Sequence, residues 1–478
     1  METNNWSICE ACQGRGKKSQ RLRKKARLRY QLELEHFEKG DKKELPPIRP
    51  KGHQEPCAHC SAAGVVAAPL PPKPDHENYP HVAIIGGGIG GAALAVACLH
   101  RGIPFTLYER DTSFDARSQG YGLTLQQATK AIDGLGVFNL EDGIISTRHL
   151  VHTPEGELIG EWGMRKWLKT KEKSTPKRTN IHIARQALRS AILDQLQRHS
   201  SVQWGHQFLN FKEKPEGGLE LSFMAEGKKK QVNADLLVGA DGIRSAVRPL
   251  LIPEETTPLR YLGCIVILGI CPLSAIEDHE LLDSATVFQT ANGHERIYMM
   301  PFSKDAVMWQ LSFPMTEKEA KELSAKGPEA LKEEGCKRTQ WHKPIPQIMG
   351  ATEIQAISGY PVYDRALLTP DLLTSGGPVT ILGDAAHPMS PFKGQGANQA
   401  LLDALSLARE ITQGCRPKSN WREKGIRASV LEAFELEMLD RSAAKVEDSA
   451  EAAQFLHSDI VLHQGDEPRG RVLKRNEG

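Results

Sequence analysis

The feature that most limits how this chain can fold is a short glycine pattern that follows an apolar strand. Gly86, Gly88 and Gly91 have the spacing G-x-G-x-x-G, directly after the apolar run Val82–Ile85 and directly before the small residues 92–99. In a strand, turn and helix of this kind, the glycines allow a tight turn, close backbone approach to a pyrophosphate and close helix–strand contact. The first N–H groups of the helix then face the phosphates. The pattern predicts an α/β domain that binds a nucleotide.

An acidic residue stands at a suitable distance after these glycines. The apolar run 105–108 ends in Glu109, which fits the acid that binds a ribose about 20 residues after the glycine turn. Arg110 follows Glu109. It could lie beside the adenine of a bound nucleotide, and an ordinary solvated arginine on the surface is an equally good interpretation. The glycines alone do not separate FAD from NAD. A glycine turn in another kind of α/β domain, with a solvated Glu109, is the remaining alternative.

Composition narrows the remaining classes of protein. A chain of 478 residues with 40% hydrophobic residues fits two or three domains. The formal net charge of +2 argues against a protein that binds polyanions over its whole surface. No apolar run is long enough to span a membrane, and the first residues lack the layout of a secretory signal. We therefore expect a cytoplasmic protein that makes no membrane contact.

Two further segments combine glycine with aspartate. Residues 239–245 read GADGIRS, and residues 383–398 read GDAAHPMSPFKGQGAN. Asp384 follows an apolar strand, where its carboxylate can accept hydrogen bonds from ligand hydroxyl groups. Gly394 and Gly396 let backbone N–H groups approach a flat ring, and the N-terminus of the helix that follows favours negative charge there. The alternative is a helix cap that needs the glycines and uses Asp384 as its N-cap.

Together with the glycine turn, these two segments resemble the single-component FAD-dependent aromatic hydroxylases, the group of para-hydroxybenzoate hydroxylase. In motif the chain is most similar to the tetracycline-inactivating monooxygenases of that group. The resemblance covers about residues 80–425 and implies an α/β fold. In it, a Rossmann-like FAD-binding domain is interleaved with a mostly antiparallel β-sheet substrate domain. The first 75 residues lie outside the resemblance, and we expect a small N-terminal zinc-binding unit there.

The resemblance also implies a reaction. NADH or NADPH reduces FAD, dioxygen adds at C4a to give a hydroperoxyflavin, and one oxygen atom passes to a small aromatic or related electron-rich substrate. The alternatives are a reductase, dehydrogenase or halogenase of the same fold, and a non-enzymatic flavoprotein tethered to nucleic acid. We identify no catalytic base, because His387 fits a local hydrogen-bonding role better than that of a base.

Several residues match positions that contact the cofactor in this family. The resemblance places Asp241 near the pyrophosphate or ribityl chain, Arg185 against the FAD and Pro391 over the flavin. A turn residue and a surface arginine are the alternatives for the first two. Lys393 could attract an anionic substrate or the nicotinamide cofactor through its charge. The alternative is a lysine that faces solvent. The complete predicted cofactor-binding set is Gly86, Gly88, Gly91, Glu109, Arg110, Arg185, Asp241, Asp384, Pro391, Gly394, Gly396, Ala397 and Asn398.

Changes in composition along the chain predict the domain limits. Short β-type runs between about 260 and 315 predict an antiparallel sheet that faces the flavin. Five side chains from these runs are candidate pocket walls, with a role as ordinary core residues the alternative for each: Tyr298, Met300, Phe302, Trp309 and Phe313. The predicted units are a zinc-knuckle unit with a basic helix (1–66), a proline-rich linker (67–79), the FAD-binding domain (80–255, with substrate-domain residues near 148–180, and 376–425), the substrate domain (256–375), and a C-terminal helix and tail (426–478).

Four of the nine cysteines form two C-x-x-C pairs, Cys9 with Cys12 and Cys57 with Cys60. Four thiolates suit a closed tetrahedral zinc site. The first pair, with its following glycines, resembles the knuckle of DnaJ-type zinc domains. We predict structural zinc, and the alternative is redox-active or free thiols on a disordered arm.

The segment between the two cysteine pairs is strongly basic. Residues 15–39 carry many lysines and arginines, and the part from about residue 21 predicts one uninterrupted helix. A basic cluster beside a zinc site can hold phosphates. We therefore consider a nucleic acid or an acidic protein as a partner, with an ordinary solvated helix as the alternative.

Overall fold

A computed structural model describes residues 5–39, 47, 50, 52–116, 121–169, 180–196 and 202–469 of the chain. Parts of three predicted units lie outside the described residues. These parts are residues 1–4, 40–46, 48–49 and 51 of the zinc-knuckle unit, residues 117–120, 170–179 and 197–201 of the FAD-binding domain with its substrate-domain segment, and residues 470–478 of the C-terminal tail.

Helices and strands alternate along most of the chain. The first seventy residues contain β1 (Asn5–Ile8), β2 (Lys17–Ser19), α1 (Lys24–Lys39), β3 (Gln54–Pro56) and β4 (Val65–Ala68). Residues up to 255 contain β5 (Val82–Ile85), α2 (Ile89–Leu99), β6 (Phe105–Tyr108), β7 (Gly122–Leu125), α3 (Thr129–Asp133), β8 (Ile144–Ile145), β9 (Arg148–His152), β10 (Leu158–Trp162), α4 (Met164–Lys169), β11 (Ile181–Ala184), α5 (Arg185–Leu193), β12 (Val202–Gln203), β13 (His206–Glu213), β14 (Leu219–Ala225), β15 (Lys228–Ala234), β16 (Leu236–Gly239) and α6 (Arg248–Leu251).

The remaining elements belong to the C-terminal half of the chain. They are β17 (Leu259–Pro272), β18 (Thr286–Ala291), β19 (Arg296–Ser303), β20 (Ala306–Pro314), α7 (Glu317–Ala325), α8 (Pro328–Arg338), α9 (Ile345–Ala351), β21 (Ile357–Arg365), β22 (Val379–Ile381), α10 (Gly396–Gly414), α11 (Trp421–Lys424) and α12 (Glu432–Phe455).

A parallel five-stranded sheet forms the core of the nucleotide-binding part, in the order β12-β6-β5-β16-β22. All residues of β5, β16 and β22 are buried, as is typical of parallel strands covered on both faces. Because the strands run in parallel, their carboxyl ends meet at one edge. The segments that follow β5, β6, β16 and β22 contain the glycine turn, Glu109, Asp241 and Asp384, so this edge brings the predicted motifs together.

A second sheet of seven strands has the order β10-β9-β18-β19-β20-β17-β21. Its pairs are antiparallel except β9 with β18, which is parallel. Strands β9 and β10 precede the rest by about a hundred residues, so the two sheets are interleaved along the chain. The chain therefore has a mixed α/β fold with several sheets.

The seven-stranded sheet has two differently covered faces. Its back face packs against α7, α8 and α9 through one apolar cluster that includes Trp309 and Phe313. Its front face carries Tyr298, Met300 and Phe302. The interpretation of Trp309 and Phe313 as pocket walls is therefore wrong, because side chains alternate between the faces of a strand and these two point to the back.

The segment 179–197, which reads as one amphipathic helix from its sequence, divides into two elements. Its described part is β11 followed by α5. The β-branched residues Ile181 and Ile183 lie in β11, which pairs with β7 and β8, and this pairing overrides the helical pattern. Among the described residues, no helix is long and apolar enough to cross a membrane.

Candidate functional site

The glycine turn is shaped by contacts that leave no room for side chains at two positions. Gly86 has φ +104°, and a Cβ atom there would lie 2.5 Å from the Ala240 carbonyl oxygen. A Cβ atom on Gly91 would lie 1.9 Å from the Gly86 carbonyl oxygen. A Cβ atom on Gly88 would meet nothing within 4 Å, and this residue starts α2 without a side-chain cap. The helix N-terminus therefore faces open space, as a phosphate site requires.

Glu109 closes one side of this turn. One carboxylate oxygen accepts a hydrogen bond from the Gly87 N–H at 2.6 Å, and the other accepts one from the Asp111 N–H at 3.0 Å. The side chain is buried. Each carboxylate oxygen keeps a further lone pair for a ligand hydroxyl group. Arg110, the next residue, is exposed.

The arginine that contacts the glycine turn is Arg189, which the sequence interpretation missed. Its Nε donates to the Gly87 carbonyl oxygen at 2.7 Å, and its guanidinium lies 4.9 Å from the centre of the Phe114 ring. Arg185, the predicted residue, begins α5 one helical turn earlier, and its side chain is exposed. Position 189 shares the apolar face of α5 with Leu188 and Ile192. That placement was the signal that could have identified it.

Asp241 fixes the second turn and keeps one oxygen free of protein partners. Its Oδ2 accepts hydrogen bonds from the Ala246 N–H at 2.6 Å and the Val247 N–H at 3.3 Å. Its Oδ1 is buried without a hydrogen-bond partner among the described residues, and burial raises the pKa of this carboxyl group. Asp241 therefore does act as a turn residue, which was the alternative that its sequence context left open. Its Oδ1 is not used by the turn and can accept a hydrogen bond from a ligand.

Asp384 is an exposed residue in a buried segment. Gly383 and Ala385 on either side are buried, whereas Asp384 is exposed. Its carboxylate lies 3.3 Å from the position of a Cβ atom on Gly396, the first residue of α10. The N-cap of α10 is Gln395, which makes no capping hydrogen bond through its side chain. Asp384 is thus not the N-cap, and it stands beside an uncapped helix N-terminus.

The loop before α10 is held by Asn398. Its side-chain oxygen accepts from the N–H groups of Gln126 and Ala128, and its amide donates to the carbonyl oxygens of Thr124 and Gly394, at distances of 2.8–3.1 Å. The side chain is fully buried and its hydrogen-bonding capacity is used. Asn398 therefore positions the loop through its side chain and has only its backbone to offer a cofactor.

Three other predicted residues lie around this loop. Pro391 and Ala397 are half-buried, and Pro391 begins a single 3₁₀ turn that ends at Lys393. Gly394 has φ +58°, a conformation that glycine adopts readily. The Lys393 ammonium lies 5.1 Å from the centre of the Phe455 ring.

His387 belongs to a buried ionic network. Its Nε2 donates to Asp403 Oδ2 at 2.7 Å, and Arg441 Nη2 donates to Asp403 Oδ1 at 2.8 Å. Although burial lowers it, the Asp403 carboxylate raises the pKa of His387 above its usual value. The Gly383 N–H also donates to Asp403 at 2.9 Å. His387 is therefore a structural partner of Asp403, and the network joins the loop after β22 to α10 and α12.

The front face of the seven-stranded sheet forms the wall opposite this loop. Phe392 and Tyr360 pack against front-face residues of β17. The Tyr121 and Tyr360 hydroxyl groups lie 3.4 Å apart. A Cβ atom on Gly122 would lie 2.6 Å from Met300. These contacts enclose a largely apolar and aromatic region between the two sheets.

One end of that region is polar. Arg296 is buried, its Nε donates to Gln289 at 2.7 Å, and its guanidinium lies 4.9 Å from the centre of the Tyr298 ring. Among the described residues, no carboxylate lies within 4 Å of Arg296. Burial raises the pKa of Tyr298 to about 12, so its phenol stays protonated. The buried Gln310 Nε2 has no hydrogen-bond partner among the described residues.

The structure also brings the two cysteine pairs together. The Sγ atoms of Cys9, Cys12, Cys57 and Cys60 all lie within 4.8 Å of one another, and all four residues are buried. The Cys12 and Cys60 sulfur atoms are 3.7 Å apart, and those of Cys9 and Cys57 are 4.0 Å apart. The His59 Nδ1 atom lies next to this cluster, 3.4 Å from the Cys9 sulfur.

The two pairs have the same local geometry. The Gly16 N–H points at Cys12 Sγ and the Gly64 N–H points at Cys60 Sγ, each at 3.2 Å. The first cysteine of each pair also donates its backbone N–H to the last glycine of the other pair, at 2.8 and 2.9 Å. Each of these two sulfur atoms therefore accepts a backbone hydrogen bond from its own knuckle.

Comparison with known proteins adds two kinds of finding. The FAD binding domain family matches residues 79–422. The chain is 31% identical over 334 residues to the aurachin C monooxygenase/isomerase of Stigmatella aurantiaca, a match that covers 69% of this chain and 79% of that protein. It is 28% identical over 348 residues to 3-amino-4-hydroxybenzoate 2-monooxygenase PtnB3 of Streptomyces platensis, covering 69% and 79%.

Two solved structures illustrate the shared fold. Klebsiella pneumoniae HpxO in complex with FAD and uric acid matches with a TM-score of 0.64 at 21% identity, covering 83% of this chain and 92% of that chain. The tetracycline destructase Tet(51) matches with a TM-score of 0.56 at 19% identity, covering 80% and 95%.

Proposed function

The chain belongs to the FAD binding domain family and is an FAD-dependent monooxygenase, and from this premise we propose that it hydroxylates a small aromatic or related electron-rich substrate. NADH or NADPH is the proposed reductant and dioxygen the source of the oxygen atom. Bound FAD would supply the ring that takes up the hydride and activates dioxygen, because such cofactors carry the redox chemistry and the protein supplies orientation and electrostatics.

The observation that carries this proposal is the convergence of four motifs at one edge of the parallel sheet. The open N-terminus of α2 suits the pyrophosphate, and Glu109 suits a ribose hydroxyl group. The unpartnered Asp241 Oδ1 and the exposed Asp384 suit the pyrophosphate–ribityl region. Among the described residues, no atom lies within 4 Å of a Cβ atom placed on Gly88 or Gly242, so the cradle is open where a long dinucleotide would pass.

The loop before α10 has the proposed role of holding the flavin ring. The uncapped N-terminus of α10 directs N–H groups and partial positive charge toward this loop. Negative charge on a reduced ring would be stabilised there. Aromatic and apolar side chains of Tyr360 and Met300 line the opposite side, and Phe392 of the loop packs against the same wall. They would keep water from the reacting atoms.

The polar end of this region supports a narrower proposal about the substrate. Arg296, Tyr298 and Gln310 present donors that no carboxylate of the described residues takes up. Buried donors of this kind require acceptors. We propose that the substrate presents a carboxylate or carbonyl oxygen to them. The names of the Streptomyces relative and of the HpxO complex include a hydroxybenzoate and uric acid, both of which carry such oxygens.

The decisive experiment combines a spectrum with a turnover assay. Purified protein should be yellow, and a panel of phenols, quinolones and tetracyclines should contain a compound that stimulates NADH or NADPH oxidation. Under ¹⁸O₂, the product should gain one labelled oxygen atom. Asp384→Ala should lose flavin while remaining folded, whereas Asp371→Ala, an exposed carboxylate elsewhere, should keep it. Colourless wild-type protein that cannot be reconstituted with FAD would refute the proposal.

We also propose that the four cysteines hold one structural zinc ion. Tetrahedral zinc with Zn–S bonds of about 2.3 Å has sulfur–sulfur edges of about 3.8 Å, close to the 3.7 and 4.0 Å separations. Metal analysis should find about one zinc per chain, and the double substitution Cys57→Ser, Cys60→Ser should remove it. Folded protein without metal would contradict the site.

The basic segment is proposed as a surface for a nucleic acid or an acidic protein. Its helix α1 is largely exposed. RNA binding by the full chain that weakens with salt, and that Lys24→Gln, Lys25→Gln and Arg27→Gln together abolish, would favour a nucleic acid. If RNA binding persists in the triple variant, the basic segment is not the RNA-binding surface.

A further inference from the structure

The four-cysteine unit is docked onto the nucleotide-binding part of the protein. The Ile8 N–H donates to the His100 carbonyl oxygen at 3.2 Å, just beyond the end of α2. The Trp6 ring lies 4.7 Å from the Phe138 ring. A Cβ atom on Gly136 would lie 2.4 Å from Trp6. Backbone, aromatic and steric contacts therefore join the two parts over a continuous surface.

Two arginines from the nucleotide-binding part meet the first cysteine knuckle. Arg409, on the last turns of α10, donates its Nε to the Gly14 carbonyl oxygen at 3.3 Å. Arg101, directly after α2, places its Nη2 within 2.6 Å of the position of a Cβ atom on Gly14. Gly14 lies two residues after Cys12, so both guanidinium groups stand beside the thiol cluster.

Neither arginine has a carboxylate partner within 4 Å in the part of the chain that the structure describes. Arg101 is buried, its Nη1 donates to the Ala97 carbonyl oxygen, and its Nε is unpaired. Burial and the neighbouring Arg409 lower the pKa of Arg101 to about 9. A buried arginine beside a half-buried one needs an anion nearby, because an unpaired buried charge is costly.

The charges of a loaded metal site meet that need. Four thiolates with one divalent cation carry a net charge of −2, and the two guanidinium groups carry +2. The carboxyl-terminal ends of α2 and α10 bear partial negative charge and would by themselves repel an anionic cluster. The positive charges of Arg101 and Arg409 outweigh the partial negative charge of these helix ends, so the surface beside the cluster is positive.

We propose that the four cysteines form an anionic metal–thiolate site whose charge is balanced by Arg101 and Arg409, so that a bound divalent, thiophilic cation locks the N-terminal unit onto the FAD-binding part. The proposal rests on the zinc site proposed above. Without the cation, the bonds that hold the four sulfur atoms together beside the two guanidinium groups are missing, and docking weakens.

The docking site is connected to the nucleotide site by two rigid helices. Both α2 and α10 begin at the proposed FAD site. Helix α2 ends beside the N-terminal unit, and α10 contacts the first knuckle through Arg409, five residues before its end. At 1.5 Å per residue, α2 spans about 16 Å, and α10 spans about 20 Å as far as Arg409. Metal loading at one end therefore stabilises the helices whose other ends hold the cofactor.

The test uses the full-length protein with FAD and metal bound. Arg101→Met and Arg409→Met each remove one balancing charge, and Arg15→Met is the matched control. Arg15 contacts the Cys12 carbonyl oxygen at 3.1 Å, but its side chain is exposed. Zinc transfer to excess chromogenic chelator should be about tenfold faster in the first two variants. It should change less than twofold in the control, because exposed charges are screened.

A second measurement protects the test against a variant that folds poorly. The midpoint of thermal flavin release should fall by several degrees when wild-type protein is stripped of metal, and by clearly less in Arg409→Met, since the charge balance is already broken. Equal falls in the two proteins, or unchanged zinc loss in both arginine variants, would overturn the proposal. Wild-type protein that binds no metal would overturn it together with the zinc site, while its flavin spectrum and turnover would still report on the monooxygenase function separately.

Discussion

Replacing Asp403 by asparagine tests whether the buried network around His387 holds the loop between β22 and α10 in place. This is the loop proposed to hold the flavin ring. Asparagine keeps the size of the side chain and removes its charge. In the structure, Asp403 Oδ2 accepts from both the Gly383 N–H and His387, and Oδ1 accepts from Arg441. An amide has one acceptor oxygen, so at least one of these donors would face an NH₂ group.

The structure sets the size of the expected effect. Asp403 is fully buried and pairs with Arg441 and with His387, which is a cation when its ring is protonated. Removing one partner of a buried ion pair costs about 3–5 kcal/mol. Glu437→Gln is the matched control, because Glu437 binds the same Arg441 at 2.8 Å while its side chain is 49% exposed. An exposed pair of this kind contributes less than about 1 kcal/mol.

The effect should also depend on pH, with a defined sign. The pKa of His387 is raised in the folded protein. Its stabilising contribution is therefore fully present below the pKa of the unfolded imidazole, about 6.5, and is lost as the pH rises through the folded-state value. Wild-type protein should lose this contribution on the alkaline side, and Asp403→Asn should lack that part of the pH dependence.

Urea unfolding, followed by circular dichroism between about pH 6 and pH 9, measures both quantities, and flavin fluorescence reports cofactor retention. The reasoning fails if Asp403→Asn costs no more than Glu437→Gln and retains FAD equally well. It also fails if both variants keep the wild-type pH dependence.

Three further substitutions test other parts of the site. Gly91→Ala should prevent stable folding of the glycine turn, because its Cβ atom would lie 1.9 Å from a backbone oxygen; Gly88→Ala should keep the melting temperature of the apoprotein but weaken FAD binding, as measured by flavin titration. Arg296→Met should raise the KM for an anionic substrate about tenfold with a smaller change in kcat, checked by steady-state kinetics. Arg189→Met should lower stability by about 2 kcal/mol or more, whereas the exposed Arg185→Met should change it little, checked by urea unfolding.

Much of the nucleotide site could be predicted from the sequence because its signals are local. The spacing of Gly86, Gly88 and Gly91 after an apolar run determines a strand, a turn and a helix within ten residues. Asp241 and Asp384 each follow a buried strand in the same way. Parallel strands then place all these ends at one edge of the sheet. The family match confirms the FAD-binding assignment, and the monooxygenase relatives confirm the class of reaction.

Other features depended on contacts between distant parts of the chain. Arg189 binds the glycine turn across 102 residues of sequence, and Asn398 binds residues 124–128 across more than 260. Trp309 and Phe313 lie on the back of their sheet, since only the position of the packed helices decides which of two alternating faces is covered. None of these partners is encoded by local spacing.

The N-terminal unit shows the same division. Its sequence determined that two C-x-x-C pairs occur together with glycines, which is a local pattern suited to four thiolates. Only the tertiary structure decided that Arg101 and Arg409, from two helices of the nucleotide-binding part, stand beside those thiols. A charge acts through space, and its neighbours are set by how whole elements pack, so no window of sequence contains them.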